Sequence, residues 1–260
     1  MTFVIFRCKI ILEVKWMKPL FLGFGNAAKI ILEELEDLIS DFYYYDEKKI
    51  TNGSGTMLEE FYIPDDSDMV IECASVGAVR KYYREILSSN KDFYILSTGA
   101  FADEDFRRDF NNILEKSQSN VFLPSGAIGG VDVIYAIKKY IDKVFLRTYK
   151  PPISFGRNDK EKTLIFSGNA IEAIKRFPRN TNVSVTLSFA VGSFEKVFVE
   201  IYSDPNVKRN IHKIEINSSV GNYIFSFDNI QSPNPRTSML APLSLASLIR
   251  KRFEKVKIGG

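Results

Sequence analysis

The stretch PLFLGFGNAAKIILEELEDLISDFYYYD, residues 19–46, decides the fold. Leu20-Phe21-Leu22 is a short continuous apolar run, the pattern of a strand buried on both faces. Gly23-Phe24-Gly25-Asn26-Ala27-Ala28 follows as a G-x-G-x-x-A turn. Ala27, Ile30, Ile31, Leu35, Leu38 and Ile39 then share one helical face, with Glu33, Glu34, Glu36 and Asp37 opposite. Phe42-Tyr43-Tyr44-Tyr45 reads as a second strand, ending at Asp46.

The order of these pieces has a physical use. Gly23 permits a tight turn, Gly25 lets the backbone approach a pyrophosphate, and the small Ala28 lets the helix pack close to the strand. The helix start, at Asn26 and Ala27, offers unpaired N–H groups and a positive dipole end to phosphate. Asp46 follows Gly23 by 23 residues, where an acid accepts hydrogen bonds from an adenosine ribose. The motif reads as a dinucleotide site. Asp46 favours NAD, whereas Lys48 and Lys49 leave NADP open.

The alternation continues outward. Strands are expected at 69–71, 93–96 and 121–123, with helices after the first two; Val79, Tyr82, Ile86 and Leu87 line one of them. Small residues follow three of the strands: Ala74-Ser75, Ser97-Thr98-Gly99-Ala100 and Ser125-Gly126-Ala127. Ligands on such sheets bind beyond the carboxyl ends of the strands, so this phase marks a cofactor cleft that includes Cys73, Ala74 and Ser75. Cys73 itself reads as a small packed residue rather than a nucleophile.

From about residue 144 the period changes to two. Alternation at 183–189, 197–201, 211–216 and 223–228 predicts half-buried strands, and helices are expected at 129–141, 168–177 and 237–256. The fold class is therefore α/β: a Rossmann-type doubly wound parallel sheet with a second α+β domain built on a mixed or antiparallel sheet. The divisions are 17–125 plus 236–260 for the dinucleotide domain and 126–235 for substrate binding and dimerisation. Residues 1–16 alternate like a strand; they read as an edge strand or as an extension ahead of Met17.

Composition excludes several classes. An apolar content of 45% builds a sizeable core and argues against disorder. A net charge of +3 is too weak to argue for nucleic acid or an anionic membrane. Two cysteines, Cys8 and Cys73, suit a reducing, cytoplasmic setting. With one histidine, His212, they make a metal site improbable, so none is assigned. No apolar run approaches a membrane span. By residue type alone, His212 is either a core residue on a strand face or a group that moves protons. Lys150, before Pro151-Pro152, is either a surface lysine or a partner for a substrate carboxylate.

Taken together, Gly23–Ala28, Glu72–Ser75 with Ala78-Val79, Ser125–Gly130 with Asp132, Lys150–Pro152, Phe166–Ala170 leading to Phe177-Pro178, Asn182-Val183, Asp204-Pro205, His212 and Asn234–Ser238 resemble the L-aspartate dehydrogenase family. The resemblance covers Met17 to the end. It implies a homodimer that oxidises L-aspartate with NAD or NADP to iminoaspartate, which hydrolyses to oxaloacetate and ammonia or supplies pyridine nucleotide biosynthesis. It implies His212 as the catalytic histidine, Ala127 and Asn182 as cofactor contacts, and a C-terminal helix that returns to the dinucleotide domain. Glu47-Lys48 stands where look-alikes commonly carry an arginine, and residues 1–16 have no counterpart. The competing expectations are an imine reductase resembling dihydrodipicolinate reductase, whose histidine pair is missing here, and a non-catalytic dinucleotide-binding sensor.

Overall fold

The computed structural model describes residues 16–49, 55–177, 182–233 and 238–258. The alternating stretch 1–15, Pro178 and Asn234–Thr237 lie outside the described residues. Met17 is buried; its N–H donates to Leu38 O at 2.8 Å, and its carbonyl accepts from Ser40 N at 3.2 Å.

The first sheet is parallel, in the order β3-β2-β1-β4-β5-β6. Its strands are β1 (Leu20–Leu22), β2 (Tyr43–Tyr45), β3 (Thr56–Met57), β4 (Met69–Glu72), β5 (Asp92–Ile95) and β6 (Val121–Phe122). The two-residue β3 is too short to show a period, which is why the sequence suggests five strands. Alternate side chains feed opposite faces. Leu20, Leu22, Val70, Phe93 and Ile95 pack with helix α2 (Val76–Ser88) and helix α3 (Glu104–Leu114). Phe21, Ile71 and Tyr94 pack on the other face with helix α1 (Asn26–Glu34) and the last helix, which is α7 (Leu240–Arg250). Both faces are covered, so the central strands read as continuous apolar runs. Ser75 and Asp103 cap α2 and α3 by accepting from Ala78 N and Phe106 N. Arg250 clamps Asp37 with both terminal nitrogens, at 2.9 and 2.6 Å, and holds α7 beside α1.

The second sheet runs β11-β10-β7-β9-β8, from β7 (Ile141–Lys150), β8 (Thr163–Asn169), β9 (Val197–Ser203), β10 (Asn210–Ser218) and β11 (Gly221–Asn229). Only β7 and β9 pair in parallel, so the sheet is mixed. One face packs Val144, Leu146, Val199, Ile201, Ile214 and Ile216 beneath α4 (Val131–Ile137), α5 (Ala170–Arg176) and α6 (Asn182–Val191).

α6 corrects one reading. Residues 183–189 alternate as a strand does, yet they form a helix. That helix is wedged between the two sheets: Val185 joins the core of the first, while Leu187, Ala190 and Val191 join the core of the second. Ser184, Thr186 and Ser188 are buried as well. A helix covered on nearly every side has no polar stripe, so its period is hidden. The remaining helices are shorter than their apolar patterns. Residues 168–169 finish β8, and Asn169 then caps α5 in a reciprocal capping box with Glu172.

Candidate active site

A cleft of about 1040 Å³ opens between the carboxyl ends of the first sheet and the helix-covered face of the second. Gly23 forms its first wall with φ +89°, and a Cβ there would lie 2.5 Å from Ala74 Cβ. Gly25, by contrast, has nothing within 4 Å of a built Cβ; it faces open space at the start of α1. Asn26 and Ala27 line the same wall, while Ala28 is buried against the sheet, so Ala27 belongs to the cleft rather than to the core face.

Asp46 lines the cleft at the end of β2. Its Oδ2 accepts from Phe24 N and its Oδ1 from Lys48 N, both at 2.9 Å. The acid thus fixes the glycine turn and keeps further lone pairs for a ribose. Glu47 beside it pairs with Lys81 Nζ at 2.8 Å on the exposed rim.

Cys73, Ala74 and Ser75 follow β4 along the cleft floor. Burial, with the Glu72 charge beside it, pushes the Cys73 thiol well up, so it stays protonated. Glu72, which the sequence marks only as part of the Glu72–Ser75 stretch and without a role, is wholly buried. It accepts from Ala74 N, Ser97 N and Ser97 Oγ, each at 2.8 Å, and so ties together two cleft loops. Burial raises its carboxyl to about 7 against those bonds. A charge at the end of an apolar strand run was its signal.

Asn182 opens α6 and joins the halves. Its Oδ1 accepts from Gly99 N at 2.8 Å, and its carbonyl accepts from Thr98 Oγ1 at 3.1 Å. Ala127 lies in the 125–127 loop, where its carbonyl accepts from Asn229 Nδ2 at 2.8 Å and Gly126 N donates to Ser244 Oγ at 3.0 Å.

The second sheet supplies the deepest wall. His212 on β10 is 5% exposed, and its Nδ1 lies 3.0 Å from Thr148 Oγ1 on β7. Burial, reinforced by the Lys150 charge, holds the imidazole down at about 3, so the ring is neutral. Lys150 is 9% exposed and its ammonium is lowered to about 8 by burial; the surface-lysine alternative does not hold. Thr148 and Asn210, which the sequence reading passed over, line the same wall.

Gly23, Gly25, Asn26, Ala27, Asp46, Cys73, Ala74, Ser75, Ala127, Lys150, Asn182 and His212 therefore all line one cleft. A turn open at Gly25, a helix start and a ribose-height acid fit an extended dinucleotide. A neutral histidine and a buried lysine at the far end fit acid–base chemistry on an anion.

Comparisons with known proteins agree with that geometry. Residues 132–252 match a family model described as aspartate dehydrogenase, C-terminal, and residues 25–124 match the NAD binding domain of homoserine dehydrogenase. The L-aspartate dehydrogenase of Thermotoga sp. (strain RQ2) is 44% identical over 247 residues, spanning 94% of this chain and 100% of that protein. The L-aspartate dehydrogenase of Methanospirillum hungatei is 39% identical over 250 residues, 92% of this chain and 97% of its own. The crystal structure of aspartate dehydrogenase from Thermotoga maritima superposes with a TM-score of 0.85 at 41% identity, covering 93% of this chain and 99% of that one. Dihydrodipicolinate reductase from Paenisporosarcina sp. TG-14, with a TM-score of 0.52 at 8% identity over 90% of this chain and 95% of its own, shares the fold alone.

Proposed function

Because the chain belongs to the L-aspartate dehydrogenase family, it is an NAD(P)-dependent oxidoreductase acting on L-aspartate, and we propose that His212 is its general acid and base. The observation that carries this role is geometric: the imidazole lines the cleft, with one ring nitrogen already engaged by Thr148.

When bound, the nicotinamide supplies the acceptor for the hydride that leaves Cα. The rest is work for this chain's own groups. Lys150 binds a substrate carboxylate. His212 takes a proton from the substrate ammonium, which frees the nitrogen lone pair to form the C=N bond as hydride departs. His212 gives that proton up to solvent, takes one from the water that attacks the iminium carbon and passes it to the nitrogen, and then takes the new hydroxyl proton as the carbonyl forms and ammonia leaves. Thr148 serves every stage, because its hydroxyl donates to Nδ1 or accepts from Nδ1–H as the tautomer requires. Gly23, Gly25, Asn26, Ala27, Asp46, Cys73, Ala74, Ser75, Ala127 and Asn182 hold the cofactor in this reading. The products are oxaloacetate and ammonia, or iminoaspartate passed to pyridine nucleotide biosynthesis, in the cytoplasm.

The test is a substrate screen. L-aspartate with NAD or NADP at alkaline pH should generate reduced-cofactor absorbance, and oxaloacetate with ammonia should consume it. No turnover in either direction with either cofactor would refute the activity.

The working unit in this reading is a homodimer. The sheet face opposite the cleft carries stacked Tyr149 and Tyr202, the Phe145–Phe198 pair, and Arg147 bonded to Glu200 and Glu215 at 2.7 and 2.5 Å. Leu164 and Ile224 stand 50% and 75% exposed beside them. An apolar centre with both charge signs suits a second copy of the same face. Light scattering should give twice the chain mass, and Ile224→Glu should lower it.

A further inference from the structure

The strand register puts two polar rows side by side on the covered face of the second sheet. His212 pairs with Thr148, and Ile211 pairs with Tyr149, so the next step sets Asn210 opposite Lys150. Asn210 is 8% exposed and lines the cleft two residues from His212, on the same side of β10. Its Oδ1 is buried with no hydrogen-bond partner. Among the described residues, the other buried side-chain oxygens without a partner, Ser188 Oγ and Ser203 Oγ, do not line the cleft, and Thr148, which does, is satisfied by His212. An orphaned amide oxygen is costly to keep, so an acceptor held this way inside a binding cleft points to a donor that arrives with the ligand.

The chemistry of the ligand identifies that donor. Ionised carboxylates only accept hydrogen bonds. A four-carbon amino diacid therefore has one donor group, its amino nitrogen. Taking the proposed L-aspartate reading as the premise, we infer that Asn210 is the residue that binds the substrate nitrogen, with Oδ1 accepting one of its N–H bonds.

The contact is set to strengthen along the reaction. After His212 removes the first proton, the substrate carries a neutral –NH2. Hydride then leaves Cα with both electrons of the C–H bond for the oxidised cofactor, and the nitrogen lone pair becomes the second bond of C=NH2+. The nitrogen gains positive charge, so its N–H becomes a stronger donor to Oδ1. An interaction that is better in the transition state than in the ground state raises kcat as well as lowering KM. Lys150, across the register in the same cleft, is the carboxylate's residue in the proposed reading, so nitrogen and carboxylate are read by adjacent residues on neighbouring strands.

The test separates the two readings on the holoenzyme. Asn210→Leu keeps the shape and removes the acceptor. It should raise KM for L-aspartate, and lower kcat, each by roughly tenfold. Competitive inhibition by succinate, a dicarboxylate of the same length with no nitrogen, should stay within about twofold of wild type. Binding of reduced cofactor should likewise be unchanged. Should Asn210→Leu fail to fold, Asn210→Ala is measured in the same way. Parallel weakening of succinate and L-aspartate would overturn the inference, because the residue would then serve a carboxylate or the scaffold. Unchanged L-aspartate kinetics in an active enzyme would overturn it alone. A wild-type protein inert toward L-aspartate would overturn the reading and the inference together.

Discussion

Nδ1 of His212 lies 3.0 Å from Oγ1 of Thr148, and the two residues are register partners on β10 and β7. The bond fixes the ring from behind and leaves Nε2 for proton exchange. His212→Ala should cut kcat by roughly a hundredfold to ten-thousandfold and leave cofactor affinity within about twofold. Thr148→Val keeps the volume and removes the tautomer-setting hydroxyl, so kcat should fall roughly tenfold or more with little change in melting temperature. Both variants are read by steady-state rates beside cofactor titration. Near-wild-type turnover of His212→Ala would make the histidine structural, since no second imidazole exists to compensate.

Lys150 gives binding and stability opposite pH trends. Its ammonium, lowered from 10.5 to about 8, loses its charge in the folded protein as pH passes 8. Dicarboxylate binding should therefore weaken above pH 8, approaching about tenfold per pH unit, as measured by succinate inhibition. Stability moves the other way. Between pH 8 and 10.5 the unfolded chain keeps a proton on this lysine that the folded protein has released, so this group's contribution to stability rises with pH in that window. Lys150→Met should flatten both trends. A succinate constant that ignores pH from 7 to 9 would remove Lys150 from carboxylate binding.

The two glycines of the turn should separate folding from binding. Gly23 combines φ +89° with a Cβ position 2.5 Å from Ala74 Cβ, so Gly23→Ala should cost on the order of 3 kcal/mol and lower the melting temperature. Gly25 sits at φ −86° and ψ −160°, which alanine adopts without strain, and its Cβ would meet no protein atom within 4 Å. Gly25→Ala should melt like wild type and bind NAD(P) roughly tenfold more weakly, because the methyl enters the pyrophosphate space. Equal cofactor affinity in Gly25→Ala would place the phosphates elsewhere.

What the sequence made legible follows from how each element is covered. β1, β4 and β5 announce themselves because sheet strands buried on both faces need unbroken apolar runs such as Leu20-Phe21-Leu22. β9, β10 and β11 do so by alternation, because one face meets helices and the other does not. α6 is misread because Ser184, Thr186 and Ser188 are buried between two cores, where small polar side chains imitate a strand's outer face. The glycine turn and Asp46 carry local spacing, so they can be found from sequence. Thr148 and Asn210 cannot, because their meaning comes from partners 64 residues away or from a missing one. Glu72 lies between these cases, since only the fold shows that it bonds Ser97.

The last prediction concerns cofactor choice at Asp46. Its carboxylate is fixed in the cleft by Phe24 N and Lys48 N, with Glu47 as its neighbour, and in the proposed reading it meets the ribose. The nearby cations are partly committed: Lys49 Nζ is 3.2 Å from Glu59, and Lys81 Nζ is 2.8 Å from Glu47. A ribose 2′-phosphate would thus meet two carboxylates against Lys48, whereas a free 2′-hydroxyl would donate to Asp46. NAD should bind more tightly than NADP, and the gap should narrow as salt screens the repulsion. Asp46→Asn keeps an acceptor for the turn and removes the charge, so it should raise relative use of NADP by roughly tenfold. The measurement is the ratio of kcat/KM for the two cofactors at low and high salt. A wild-type enzyme that prefers NADP, or a ratio indifferent to Asp46→Asn, would show that Lys48 rather than Asp46 sets the choice.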